Sequence, residues 1–139
     1  MYIPHVTRQK TLTLFETINQ LAAEIAHEEG LSEGWLNDSV KGFLTPSAKQ
    51  ESYMQLGGLR ISTVSPDYLL AMKLIASRYG ETDYNDIKFL MEKLDITEYD
   101  EAARIVSAYY PPEKILPKTK YVIEEILEEI NEPEEDLEL

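Results

Sequence analysis

The chain has 139 residues, 43% of them hydrophobic, which fits one globular domain and excludes wholesale disorder. It has no apolar run of about eighteen residues, so no membrane-spanning helix is expected. It has no cysteine, which excludes disulfides, thiolate metal sites and a cysteine nucleophile.

The formal charge is −13, unevenly placed. Nine acidic residues and no lysine or arginine lie between Glu124 and Leu139; the rest of the chain carries 17 acidic and 13 basic residues. A broad nucleic-acid-binding surface is therefore disfavoured, because it needs net positive contacts to phosphate. The acidic end reads as a solvated tail, with a partner-binding segment as the other use. Met1-Tyr2-Ile3-Pro4-His5 shows no basic stretch leading into an apolar one, so no secretory leader is expected. The lack of cysteine agrees with a cytoplasmic setting.

In chain order, Leu14, Ile18, Leu21, Ala22 and Ile25 recur at helical spacing and predict a helix over about Gln9 to Glu29, stopped by Gly30. Ser32 to Leu44 holds Trp35, Leu36, Val40, Phe43 and Leu44; Ser32 is placed to cap a helical turn, which Asn37-Asp38-Ser39 breaks. Trp35 reads as a core anchor. Residues 45–50 read as a loop. From Glu51 to Val64, apolar residues flank Gly57-Gly58, as two short strands around a turn require. Two strands make a marginal sheet unless they pack on helices or pair with something else.

The second half is helical. Ser65-Pro66 caps and opens a helix expected to reach Tyr79 and stop at Gly80. Thr82 or Asp83 caps the next, with Ile87, Leu90, Met91 and Leu94 on one face. Thr97, with Asp100 three residues on, starts another, which Pro111-Pro112 ends. Tyr109-Tyr110 reads as packing at that end. A last helix is expected over Lys118 to Asn131, closed by Pro133. The organisation is a helix-rich α+β domain over 1–131 with one small β-sheet, followed by a frayed acidic tail, 132–139.

Lys73 stands out because the run around it, Leu69-Leu70-Ala71-Met72-Lys73-Leu74-Ile75-Ala76, is otherwise apolar. A lysine there must snorkel to water, pair with a carboxylate or meet an anionic ligand. Asp83 and Asp86, three apart, can share one face of the next helix's first turn. They can cap that helix, orient Lys73 and Arg78, or hold a divalent cation. His5 and His27 are far apart and lack metal-ligand spacing. No GxGxxG or GxxxxGK[ST] phosphate loop is present, so Gly57-Gly58 reads as backbone geometry.

The order Trp35-Leu36-Asn37-Asp38, Val40-Lys41-Gly42-Phe43-Leu44, Leu59-Arg60-Ile61, Ser65-Pro66-Asp67-Tyr68-Leu69-Leu70-Ala71-Met72-Lys73-Leu74, Arg78, Asp83 and Asp86-Ile87 resembles the nucleotidyltransferase-like proteins related to AbiEii abortive-infection toxins. The resemblance covers about Thr7 to Glu129. It implies a small mixed sheet flanked by helices and a toxin–antitoxin or phage-defence setting. It implies Mg²⁺ held by an Asp-x-Asp pair, and a nucleoside triphosphate as donor. It places Lys73, Arg78, Asp83 and Asp86 in the nucleotide-binding region. In the simplest register, Lys10 and Leu12 stand where the metal-binding aspartates belong, and the preceding glycine motif is missing, as in an N-terminally truncated member. The same register allows Thr7 to Phe15 to be strand-like.

The resulting expectation is a degenerate nucleotidyltransferase-like protein without transfer activity, retaining weak binding of Mg²⁺ and a nucleoside triphosphate if the site survives. The alternative is an interaction module that forms a homo- or hetero-oligomer through an exposed sheet edge. A third expectation is an active enzyme using Asp38, Asp83 and Asp86 as its carboxylates.

Overall fold

The computed structural model describes residues 8–37, 44–46, 48–77 and 83–132. It shows a helix-rich α+β fold with five α-helices and one two-stranded antiparallel sheet among these residues. The chain divides into two compact units, 1–42 and 43–139.

The first unit is built on α1 (Arg8–Glu29). Residues 8–15 are helical, which overturns the strand-like reading there; the apolar spacing continues into them and governs. Gly30 stops α1 as expected. Its φ of 67° is one that a side chain would strain, and it lets the Leu31 N–H reach back to the Ala26 carbonyl at 3.0 Å. The segment after it is a turn, not a capped helix. Ser32 contributes its backbone carbonyl, which accepts from the Trp35 N–H at 3.1 Å. Trp35 is no core anchor: it is 41% exposed, and its indole N–H donates to the Ala22 carbonyl at 3.0 Å. Asp38 to Phe43 lie outside the described residues.

The second unit opens with a hairpin, β1 (Gln50–Leu56) and β2 (Leu59–Val64). Gly57 takes φ 56° at the first central position of its two-residue turn, where glycine is the favoured residue. Leu56 faces Leu59, Met54 faces Ile61, and the register slips between Ser52 and Met54, leaving Tyr53 unpaired in the ladder. Apart from the half-buried Val64, every strand residue is exposed.

Four helices form the core: α2 (Pro66–Ala76), α3 (Asp83–Lys93), α4 (Tyr99–Tyr109) and α5 (Pro117–Asn131). Their apolar stripes meet in one cluster that includes Leu70 and Leu74, Ile87 and Met91, Val106, and Ile123 and Ile126, all fully buried. Tyr68 is buried beside it. Its ring meets Tyr109 edge-on at 5.0 Å, and its hydroxyl accepts from the Thr45 N–H at 2.8 Å.

Helix ends explain where the observed bounds differ from the expected ones. α2 stops at Ala76 rather than Tyr79, because Ser77 turns extended and its N–H closes on the Lys73 carbonyl at 2.8 Å. α4 begins one residue later than the Thr97 start. Glu98 is its N-cap, and Glu101 accepts from the Thr97 and Glu98 N–H groups at 2.9 and 3.1 Å. At the end of α3, Asp95 adopts φ 54°, and the Ile96 N–H donates to the Met91 carbonyl at 3.0 Å. A single 3-10 turn, Pro112–Lys114, leads into α5, which starts with Pro117 in its first turn.

Candidate functional site

The candidate site lies where the last turn of α2 meets the first turn of α3. Lys73 sits near the end of α2, in a helix whose Leu70, Ala71, Met72 and Leu74 are buried. Lys73 itself is half-buried, so its ammonium must be compensated. It donates to Asp83 Oδ1 at 2.7 Å and to Asp86 Oδ2 at 2.9 Å. The three-residue spacing on α3 puts both carboxylates on one side of the first turn, where the helix macrodipole also favours negative charge.

The site is open to solvent on its carboxylate side: Lys73 is 22% exposed, Asp83 32% and Asp86 61%. Burial alone would pull the Lys73 ammonium below its ordinary range. The hydrogen bonds to Asp83 and Asp86 and their charges outweigh it and hold the lysine above that range. Two of its three N–H donors are spent on carboxylates. The node carries a net charge of −1 with both carboxylates ionised.

The last carbonyls of α2 are satisfied by side chains that the sequence reading missed. The Lys118 ammonium donates to the Ser77 carbonyl at 2.7 Å, and the Ser77 hydroxyl donates to the Leu74 carbonyl at 3.2 Å. The buried Thr119 hydroxyl reaches the same Leu74 carbonyl at 3.4 Å. Lys118 and Thr119 open α5, more than forty residues downstream, and no local pattern marks them as partners of α2. Behind α3, Lys88 and Tyr84 converge on Glu129 of α5 at 2.8 and 2.7 Å. The Lys88 ammonium, then the Tyr84 hydroxyl, hold that carboxyl below its ordinary range.

Lys73, Asp83 and Asp86 are thus brought together. Arg78 and Asp38 lie outside the described residues, as does His5. His27 stands in the last turn of α1. Lys10 and Leu12 are on α1, so the positions that the resemblance aligned with an Asp-x-Asp strand are helical. Among the described residues, no group of three or more His, Asp or Glu side chains is placed to hold a metal ion. No helix among them is long and apolar enough to cross a membrane.

No family model matches the chain, and neither a curated protein nor a solved structure is similar to it.

Proposed function

We propose that the chain is a nucleotidyltransferase-like protein that binds a metal–nucleoside triphosphate weakly at Lys73 and does not transfer the nucleotidyl group. One observation carries this reading. Lys73 stands out in an apolar run with Asp83 and Asp86 as its expected partners, the resemblance puts the same three residues in the nucleotide-binding region, and they meet in one half-exposed node. The remaining N–H of Lys73 suits a phosphate oxygen. A naked triphosphate is repelled by the node's net negative charge, so binding should require a divalent cation. Mg²⁺ is commonly held by one or two carboxylates together with substrate phosphates, and Asp83 and Asp86 would supply that pair. A bound Mg²⁺ would neutralise phosphate charge. Lys10 and Leu12, in place of the aspartates, offer no ligands for a transfer reaction.

Calorimetric titration of MgATP into the protein and into Lys73→Ala tests it. Binding that needs Mg²⁺ and disappears in the variant is the expected result. Equal heats for both proteins, or none at millimolar MgATP, would refute nucleotide binding at this node. Transfer of labelled nucleotide to RNA or protein would refute the loss of activity.

The hairpin supports a second reading, as an interaction module. Met54, Leu56, Leu59 and Ile61 are 39–60% exposed, and the pairings place them on one face. A two-stranded sheet with that face uncovered is marginal alone. Light scattering across a concentration series tests self-association. A mass that stays at one chain at every concentration counts against it.

A further inference from the structure

At the end of α2 away from Lys73, a groove of about 360 Å³ runs along α4. Leu94, Ile105 and Ala108 give it apolar walls. Asp67 and Tyr109 stand at one end and Glu101 at the other. Glu101 and Tyr109 are eight residues apart on α4, about 12 Å along its axis.

The two ends differ in how their negative charge is met. Glu101 is engaged: the Thr97 and Glu98 N–H groups bind its carboxylate, and the Arg104 guanidinium, also in the groove wall, adds attraction. Asp67 is half-buried and accepts from the Tyr109 hydroxyl. Burial opposes its charge, yet the Tyr109 hydroxyl and backbone N–H groups keep the carboxyl below its ordinary range. Its place in the first turn of α2 works in the same direction. Among the described residues, no lysine, arginine or histidine forms an ion pair with it. An ionised, partly desolvated carboxylate beside the apolar side chains of Leu94, Ile105 and Ala108 matches a cation on an apolar stem.

We propose that this groove receives a lysine side chain of a partner protein, its ammonium on Asp67 and its methylenes along Leu94, Ile105 and Ala108. Charge complementarity selects that occupant. The four-carbon stem spans part of the trough, and the chain's −13 charge draws a basic segment toward it.

The probe is lysine with acetyl and methylamide blocks on its backbone, so that the side chain carries the one ammonium. It is titrated into the ¹⁵N-labelled protein and followed by amide shifts. Saturable shifts confined to residues 94–96 and 101–109 and the first turn of α2 are expected. Binding should weaken roughly tenfold or more in Asp67→Asn, which keeps an acceptor for Tyr109 while removing the charge. It should also be lost with the Nε-acetylated probe. Ala108→Leu fills the trough with a good helix former and should abolish binding while leaving Asp67 intact. The proposal is overturned by shifts that never saturate, by equal binding to Asp67→Asn or the acetylated probe, or by unchanged binding to Ala108→Leu.

Discussion

A lysine inside an apolar helical run has to find water, a carboxylate or an anion, and Lys73 finds two carboxylates. Replacing it with methionine keeps the stem's packing and leaves Asp83 and Asp86 facing each other without a cation. Both carboxylates are substantially solvated, so the cost is set nearer the scale of exposed pairs than of buried ones. Urea unfolding should show a loss of about 1–2 kcal/mol. Because the folded chain holds this ammonium above its ordinary value of 10.5, the stabilisation is whole below that pH and disappears as pH rises through the folded value. The stability gap between the native chain and Lys73→Met should therefore stay level from pH 7 to 9 and close above pH 10.5. A gap that changes across the neutral range would show that another group carries the effect.

The end of α3 offers a test at the scale of the element. Asp95 occupies the left-handed position that helix ends usually give to glycine, and it is the one non-glycine residue with positive φ among the described residues. Asp95→Gly should stabilise the fold by about 0.5 kcal/mol, the relief of that backbone exceeding the added freedom of the unfolded chain. A lower urea midpoint would mean that the aspartate side chain contributes more than its backbone costs. Such details explain which elements could be read in advance. α1, α3 and α5 carry apolar residues at clean three- and four-residue spacing, and the hairpin is bracketed by Gly57-Gly58. The end of α2 falls short of Tyr79 because its stop is Ser77, whose carbonyl Lys118 of α5 holds while Thr119 reaches the Leu74 carbonyl, a tertiary device with no local signature. Trp35 departs from its expectation for a related reason: its size suggests a core, whereas its ring stays exposed and its indole N–H binds the Ala22 carbonyl of α1.

At the scale of the whole molecule, charge dominates. A net −13 over 139 residues means that the folded chain repels itself, and the repulsion is concentrated toward the acidic residues of α5 and beyond. Salt screens this, so the thermal midpoint should rise between roughly 0.02 and 0.5 M sodium chloride. The Lys73 and Lys88 pairs act in the opposite sense, since screening weakens them as well. A falling midpoint would mean that these attractions outweigh the global repulsion. The candidate site was legible because a lone charge in an apolar run has few physical outcomes and its partners lay one helix away. The Asp67 groove was not legible: Glu101 and Ala108 reach it only through the packing of α4 against α2, and Leu94 reaches it from the end of α3.

The hairpin lends none of its strand residues to the buried cluster that unites α2 to α5. At its tip, a side-chain carbon added to Gly57 or Gly58 would meet nothing within 4 Å. Evolution or an engineer can therefore rewrite this projection while the helical body keeps its packing. A reporter peptide spliced between the two glycines would extend away from the core, making the tip the natural place to attach a label that leaves the rest of the molecule intact.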